Sequence, residues 1–297
     1  YPFYFDEIQS TTGVVEGIYN GKIQKIIYGV FTTPQNSVGA SAVCAFRMQD
    51  INDVFNGPFK EQINPNFNWK AVENSRVPDP RPGQCVNDST HLPETNLRFI
   101  RSHPLMHLAV PFFWNGPVLI RTSMKFRFTK IAVDPQIETM SGQYYDVLFI
   151  GTDDGRVIKA INSASNAKRE QYNFNQVVPV IIEDISIFRQ KTVINNLMVY
   201  RTHYDHKLIV VSENEIIAIP LFKCQARADT CEKCVALQDP YCAWDLESQR
   251  CTGSRKRLSK RESFVQNIED GWDSKCSRDQ KSFLNETKTE STQFIQL

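Results

Sequence analysis

The stretch Cys234-Val-Ala-Leu-Gln-Asp-Pro-Tyr-Cys-Ala-Trp-Asp245 places two cysteines and a tryptophan around an Asp-Pro turn. It lies in a cysteine-rich segment, because six of the eight cysteines fall between residues 224 and 276. That density is typical of a small module held together by cross-links. So short a segment cannot bury enough apolar surface to fold without disulfides or a bound metal.

Zinc is the alternative to disulfides here, since Cys231-Glu-Lys-Cys234 has the C-x2-C spacing of a zinc knuckle. A zinc ribbon needs a second close pair, but Cys242 and Cys251 are separated by eight residues and the segment contains no histidine. We therefore favour disulfides and an oxidising compartment. Two N-x-S/T sequons point the same way, and we expect N-linked glycans at Asn87 and Asn285.

The near-zero net charge means that the protein has no strong overall electrostatic field to attract a highly charged partner. The 297 residues include 34 Lys and Arg against 33 Asp and Glu, a formal net charge of +1, so we expect no nucleic-acid partner. No apolar run reaches the roughly 18 residues of a membrane span, and no signal segment opens the chain. Because the chain starts at Tyr1 without a Met, we expect it to be a piece of a longer protein.

From residue 22 to 222 the dominant pattern is that of β-strands. Runs such as Lys25–Thr33 and Ala40–Phe46 are β-branched or aromatic and end at turn residues. The turn Asp153-Asp-Gly155 predicts a hairpin over 147–161, and a second hairpin is predicted over 208–219, about 60 residues later. Such a period, with several strands in each unit, is typical of the blades of a β-propeller.

The composition of the strands also favours a propeller over a sandwich. Val147–Ile150 and Leu208–Val211 are apolar at every position, which indicates a sheet covered on both faces. Blades stacked around an axis cover both faces of each sheet. A closed ring needs more blades than this chain contains, so we expect the others to precede Tyr1.

The segment 49–120 breaks the strand pattern with prolines and a short helical spacing at Ile51, Val54 and Phe55. We interpret it as a long insertion in one blade, of the kind that is often functional. Its aromatic run Phe112-Phe-Trp114 is more often core than interface. If exposed, Phe112, Phe113 and Trp114 would anchor a partner.

The sequence contains no complete catalytic motif. His103-Pro-Leu-Met-His107 has the spacing of a metalloprotease helix, but Pro104 stands where the general base is required. His203-Tyr-Asp-His206 lacks further metal ligands, and no phosphate-binding or nucleophile-elbow motif occurs. The basic cluster Arg255-Lys-Arg257 and Lys260-Arg261 is typical of a solvated loop, with attraction to sulfated glycans or dibasic cleavage as alternatives. We expect no enzyme activity, no cofactor and no metal.

Several motifs of the sequence resemble those of a known protein family. Cys231-x2-Cys234-x7-Cys242-Ala-Trp-Asp245 resembles the PSI module of semaphorins. Further matches follow the same order along the chain: Tyr28-Gly-Val-Phe-Thr-Thr33, Ser41-Ala-Val-Cys44, Pro80-Arg-Pro-Gly-Gln-Cys85 and Phe149-Ile-Gly-Thr-Asp-Asp-Gly155. The chain is most similar to the invertebrate transmembrane class.

The resemblance implies an all-β fold: the C-terminal part of a seven-bladed sema propeller over residues 1–222, with the insertion at about 49–120. A PSI module would follow over residues 223–277, here called the cysteine module, and then a polar stalk over 278–297. The family pattern implies the disulfides Cys224–Cys242, Cys231–Cys276 and Cys234–Cys251, with Trp244 packed against them in the module core.

Cys44 and Cys85 allow two pairings. Taken alone, the chain invites a bond between them, which would close a loop of about 40 residues and contribute roughly 4 kcal/mol. The semaphorin pattern instead implies that both pair with cysteines upstream of this chain. We follow the family pattern, and expect the two sulfur atoms to be unbonded to each other.

The implied function is that of an extracellular guidance ligand that acts in axon guidance. Its sema domain would bind a plexin receptor of the A type, and a homodimer would gain affinity through effective concentration. Its other partner would be the N-terminal half of the same sema domain. We expect it on the extracellular face of the plasma membrane, through an anchor outside this chain, or secreted. The alternatives are a plexin-like receptor ectodomain and an extracellular propeller enzyme.

Overall fold

The computed structural model describes residues 3–165, 180–188, 191–202, 205–253 and 258–276. Within these ranges the strands form five sheets, and all of their pairings are antiparallel. Three of the sheets build the larger body, one belongs to the insertion, and one belongs to the cysteine module.

The first sheet contains β1 (Glu7–Thr11), β2 (Val15–Tyr19), β3 (Lys22–Thr32), β4 (Ala40–Arg47) and β8 (Leu119–Thr122). Its order is β1-β3-β4-β8, and β2 also pairs with β3. The long strand β3 pairs with β2 through its first half and with β1 through its second half. Alternate residues of β3 point to the two faces, so Ile26, Tyr28 and Val30 are fully buried.

The second sheet has the order β12-β11-β10-β9, with β9 (Phe128–Glu138), β10 (Tyr144–Thr152), β11 (Arg156–Asn162) and β12 (Val180–Ser186). Gly155 closes the β10–β11 hairpin with a φ of 86°, a conformation that favours glycine. The third sheet has the order β13-β14-β15, with β13 (Asn196–Arg201), β14 (His206–Val211) and β15 (Ile216–Pro220).

The three sheets stack face to face with the second in the middle. Leu148 and Ile150 of β10 join the core shared with the first sheet, whereas Val147 and Phe149 join the core shared with the third. Both faces of β10 are therefore covered, as its uninterrupted apolar sequence predicts. Strands β1, β9 and β13 are neighbours in space, so the sheets radiate from one side as the blades of a β-propeller do.

A buried polar network ties the first sheet to the second. The hydroxyls of Tyr19 and Tyr28 donate to the Asp146 carboxylate at 2.8 and 2.6 Å, and the backbone N–H of Gln136 donates to it at 2.9 Å. Asn162 donates to the Tyr28 hydroxyl at 3.0 Å. Burial raises the pKa of Asp146 and of Tyr28, so each member depends on its partners for compensation.

The insertion leaves the first sheet after β4 and returns at β8. It contains α1 (Met48–Asn56), β5 (Phe59–Glu61), β6 (Lys70–Ala71), α2 (Glu94–Ser102) and β7 (Leu105–Met106). The small strands form a sheet of order β6-β5-β7. Arg81 links this unit to α1, since its guanidinium donates to the carbonyls of Phe55 and Gly57.

The cysteine module contains α3 (Cys224–Arg227), α4 (Cys231–Ala236), β16 (Cys242–Asp245), β17 (Arg250–Gly253) and β18 (Phe264–Val265). Its sheet has the order β17-β16-β18. Thr230 caps α4, because its side chain accepts a hydrogen bond from the backbone N–H of Lys233.

Candidate interaction surfaces

Three sulfur–sulfur bonds hold the cysteine module. The structure places Cys224 at 1.99 Å from Cys242, Cys231 at 2.15 Å from Cys276, and Cys234 at 1.99 Å from Cys251. All six cysteines are buried, and Trp244 on β16 is 4% exposed among them. These are the pairs that the resemblance implies, and they link α3 to β16 and α4 to both β17 and the segment that ends at Cys276.

The outer face of the first sheet is an apolar surface, here called the first end face. Cross-strand register places Ile8, Phe31, Ala42 and Ile120 side by side on it. Ile8 is 63% exposed although it lies within a strand. Of its other members, Phe31 and Ile120 are half-buried and Ala42 is fully buried, so the exposed part of this face is centred on Ile8.

Cys44 lies on the first end face, two residues beyond Ala42 on the same strand and opposite Gly29. Burial raises the pKa of the Cys44 thiol to about 12. Cys85 lies in the insertion and is exposed. Neither sulfur is bonded within the described part of the chain, so no Cys44–Cys85 bond is present in this structure.

The third sheet presents a second end face on its far side. Met198, Ile209 and Ala218 are cross-strand partners there, and Tyr200 and Ile216 extend the same face. Met198 is 53% exposed and Ile216 is 74% exposed. The apolar sequence of β14 predicts a sheet covered on both faces, but among the described residues the side with Ile209 is left partly open, as the exposure of Met198 and Ile216 shows.

A cavity of about 460 Å³ lies where β1, β9 and β13 approach one another. The charged residues among the described side chains that line it are Glu16 and Lys130. Hydrolysis of a glycosidic or peptide bond needs a pair of acid–base groups or a metal. The lining of this cavity offers a solitary carboxylate and supplies no such constellation.

The junction between the second sheet and the cysteine module is polar and buried. Lys159 on β11 extends its ammonium to the Asp239 carboxylate, with both side chains 2% exposed. The same ammonium lies 4.6 Å from the Tyr241 ring centroid, and the Tyr241 hydroxyl donates to Asp134 on β9. Burial lowers the pKa of Lys159, and the Asp239 carboxylate opposes that effect.

Further contacts surround this centre. Arg227 donates to the carbonyl of Ile182 at 2.8 Å, and the side chain of Gln266 accepts from the backbone N–H of Met140 at 2.8 Å. Arg261 forms an ion pair with Glu138. Contacts from α3, the Asp-Pro turn and the residues on either side of β18 thus fix the module on the propeller at several separate points.

The structure separates the three aromatic residues of the predicted partner contact. Trp114 is 1% exposed, and its ring lies 6.0 and 6.2 Å from the rings of Tyr19 and Tyr28 in the core between the first and second sheets. The prediction of Trp114 as a contact residue is therefore wrong, since the ring is not accessible. Phe113 is half-buried against Trp114, and Phe112 is exposed at the first end face.

Of the two sequons, Asn87 is exposed in the insertion, where Asp88 caps a short 3-10 turn over Ser89–His91. Asn285, residues 255–257 of the basic cluster and the predicted stalk 278–297 lie outside the described residues, whereas Arg261 of that cluster pairs with Glu138. A side chain that is accessible in a loop is what glycosylation of Asn87 requires.

Among the described residues, no group of three or more His, Cys, Asp or Glu side chains is placed to hold a metal ion. No helix in the described part of the chain is long and apolar enough to cross a membrane.

Comparison with known proteins matches the Sema domain to residues 8–201 and the plexin repeat to residues 223–277. Semaphorin-1A of Schistocerca americana is 52% identical over 280 residues, which cover 93% of this chain and 38% of that relative. The chain thus spans between 32% and 38% of the length of the Semaphorin-1A relatives that it matches.

Solved structures give the same result. Drosophila Semaphorin 1a, extracellular domains 1-2, superposes with a TM-score of 0.78 at 47% identity, covering 93% of this chain and 54% of that chain. A chain of the Drosophila Plexin A complex with Semaphorin 1b superposes with a TM-score of 0.75 at 37% identity, covering 90% of this chain and 51% of that chain. The Plexin A4 extracellular region, at 15% identity and a TM-score of 0.56, shares the fold alone. That superposition covers 88% of this chain and 21% of the Plexin A4 chain.

Proposed function

The chain belongs to the semaphorin family, and from that membership we propose that it is part of an extracellular guidance ligand that binds a plexin receptor. The observation that carries the proposal is the superposition on a solved complex of Plexin A with Semaphorin 1b, at 37% identity. The receptor proposed for this chain is accordingly a plexin of the A type. Since the chain spans about a third of its relatives, this proposal concerns the longer protein.

The physical role of such a ligand is to present a rigid surface. The buried network around Asp146 joins the first two sheets, and the Lys159–Asp239 junction joins the second sheet to the cysteine module. Preorganised surfaces bind with a smaller loss of conformational entropy than mobile ones. The family consists of signalling ligands, and the cavity between the innermost strands offers no acid–base pair for an enzyme.

We propose that the rest of the sema propeller covers the two end faces. The first end face carries Cys44, which is 3% exposed, and its position on the side of the sheet away from the second sheet supports a bond to a cysteine upstream of this chain. The exposed Cys85 would form the second such bond. In this division residues 1–222 form the C-terminal part of the propeller, residues 223–277 the cysteine module and residues 278–297 a stalk.

Four finer features belong to the same proposal. The ligand carries N-linked glycans at Asn87 and Asn285, lies outside the cell either secreted or anchored by a segment beyond this chain, and acts in axon guidance. It dimerises, and a dimer brings two receptors together with a gain from effective concentration. The exposed position of Asn87 supports the first of these features.

The alternative of a plexin-like receptor ectodomain is disfavoured by identity. The chain shares 52% identity with a semaphorin and 15% with Plexin A4, although both contain the same fold. Such a difference between the two sequence identities is expected if the chain is the ligand and not the receptor.

The test is binding of the complete tagged ectodomain to cells that express plexin A. Saturable binding is expected on these cells. Matched cells that express plexin A without its sema domain should bind at the background level of untransfected cells. Equal binding to all three cell types contradicts the proposal.

A further inference from the structure

The insertion carries a hairpin tip whose apolar side chains are exposed. The tip is the loop Gln62-Ile-Asn-Pro-Asn-Phe-Asn-Trp69, which connects β5 to β6. Ile63 is 75% exposed, Phe67 is 53% exposed and Trp69 is 42% exposed. Single exposed apolar residues need no explanation, but three on one short loop form a concentrated apolar surface.

The tip is held in one conformation by its own hydrogen bonds. The backbone N–H groups of Phe67 and Asn66 donate to the backbone carbonyl and the side-chain oxygen of Asn64, each at 3.0 Å. The side-chain amide of Gln62 donates to the carbonyl of Phe67 at 2.8 Å. A preformed loop loses little conformational freedom on binding, which is what a recognition element requires.

The base of the tip is braced as well. The Arg76 guanidinium binds the Glu61 carboxylate through two hydrogen bonds, at 2.6 and 2.9 Å, just before the tip begins. The Lys60 ammonium lies 5.6 Å from the Trp69 ring centroid, so the indole is oriented by a cation–π contact.

The charges nearest the tip are mainly positive, and the exposed Glu73 lies just beyond Val72. No acidic residue occurs from Gln62 to Val72, whereas Lys60 and Lys70 flank the apolar side chains. The nearest carboxylate in the sequence, that of Glu61, is already engaged by Arg76. The surface is therefore an apolar centre with a cationic rim, and a complementary surface has an apolar pocket with a carboxylate rim.

We propose that the hairpin tip docks into an apolar, carboxylate-rimmed pocket on the receptor ectodomain. This rests on the proposed function, because it names the part of the ligand that the receptor contacts. A lipid surface fits less well, since anionic lipids that attract lysines are concentrated in the cytoplasmic leaflet, whereas the disulfides place this chain outside the cell. Phe67 and Trp69 are the anchors, and the two lysines steer the approach.

The aromatic anchors and the lysines should affect different rate constants of receptor binding. Aromatic anchors that enter a pocket slow dissociation, so their loss raises the dissociation rate. Rim charges act on the encounter, so their loss lowers the association rate, and only at low ionic strength.

The experiment measures binding of the complete ectodomain to immobilised plexin A ectodomain by surface plasmon resonance. The Phe67→Ser/Trp69→Ser variant is expected to dissociate about tenfold faster or more, with its association rate within about threefold of the wild type. The Lys60→Gln/Lys70→Gln variant is expected to associate about three- to tenfold more slowly at 50 mM salt, with the difference lost near 500 mM.

The matched control is Trp272→Ser/Met124→Ser, since Trp272 is 61% exposed and Met124 is 86% exposed, and both lie outside the insertion and outside the residues assigned to the two end faces. It should bind as the wild type does. Because the tip residues are exposed, all variants should keep the wild-type melting temperature; if the serine variant is not secreted, the lysine variant decides.

Four results overturn the inference. Wild-type kinetics in both tip variants excludes a contact with the receptor. Loss of self-association with an unchanged monovalent receptor affinity assigns the tip to a second copy of this chain. Binding of the wild type, but not the serine variant, to phosphatidylcholine vesicles assigns it to a membrane. Failure of the wild-type ectodomain to bind plexin A at all removes the proposed function together with the inference.

Discussion

Lys159 and Asp239 form a buried ion pair that joins the second propeller sheet to the cysteine module. Lys159 interrupts the otherwise apolar run Val157–Ile161 of β11, and Asp239 comes from the Asp-Pro turn of the cysteine-rich stretch. A buried pair of this kind is costly to break, because the remaining charge has neither water nor a partner. The two residues therefore fix how the two parts of the chain are oriented.

Breaking the pair should destabilise the protein strongly. Lys159→Met is expected to lower the free energy of unfolding by about 3–5 kcal/mol, since it leaves the Asp239 carboxylate buried and unpaired. The double variant Lys159→Met/Asp239→Leu should regain most of that loss. Urea unfolding of the ectodomain, followed by tryptophan fluorescence, measures both values.

The control for this prediction is the exposed pair Lys233–Asp229 on the same module, with side chains 62% and 74% exposed. Lys233→Met should change the free energy of unfolding by less than about 0.5 kcal/mol. Equal losses in Lys159→Met and Lys233→Met would show that the junction does not hold the module.

The tyrosines of the buried network should make the protein sensitive to alkali. Burial and the neighbouring Asp146 carboxylate raise the pKa of Tyr19 and Tyr28 above the ordinary value of 10.0. Above pH 10 the unfolded chain loses these protons while the native state retains them, so stability falls as the pH rises. Each tyrosine contributes up to about 1.4 kcal/mol per pH unit.

Urea unfolding at pH 9, 10 and 11 measures this slope. The variant Tyr19→Phe/Tyr28→Phe is less stable at every pH because Asp146 loses two donors, but its loss between pH 10 and 11 should be smaller than that of the wild type. The exposed Tyr4, changed to Phe, serves as the control, with an unchanged slope. A steeper slope in the double variant contradicts the role assigned to the network.

Disulfide mapping of the unreduced ectodomain by mass spectrometry should recover the three module bridges, which pair Cys224 with Cys242, Cys231 with Cys276 and Cys234 with Cys251. Cys44 and Cys85 should each appear linked to a peptide that precedes this chain. A Cys44–Cys85 peptide, or free thiols at both positions, would refute the upstream pairing.

Trp114 should behave as a core residue. Trp114→Ala is expected to lower the free energy of unfolding by about 3–5 kcal/mol through loss of buried surface and creation of a cavity. The molecules that still fold should bind plexin A with the affinity of the wild type. That affinity is calculated from the concentration of folded, binding-competent protein. A lower affinity at an unchanged melting temperature would restore Trp114 as a contact residue.

Much of the architecture was predictable because it depends on residues that are close together in the sequence. The apolar run of β10 and the Asp-Gly turn after it predict a buried hairpin, and the structure has one at Tyr144–Asn162. The helical spacing near Ile51 predicts a short helix, and α1 covers Met48–Asn56. Both features depend on neighbours in the sequence.

The sequence did not indicate features that depend on distant partners. Strand β1 has the sequence Glu-Ile-Gln-Ser-Thr and owes its pairing to β3, so its own composition does not mark it as a strand. Lys159 meets Asp239 eighty residues away, and a lysine in an apolar run was the signal that could have found it. Trp114 is buried by rings from Tyr19 and Tyr28, which its local sequence does not contain.

Sedimentation velocity of the purified ectodomain mixed with the plexin A ectodomain decides whether this chain belongs to a plexin ligand. We predict a new, faster-sedimenting boundary that contains both proteins, and its disappearance after the ectodomain disulfides are reduced. Two boundaries that keep the sedimentation coefficients of the separate proteins at micromolar concentrations would contradict the assignment.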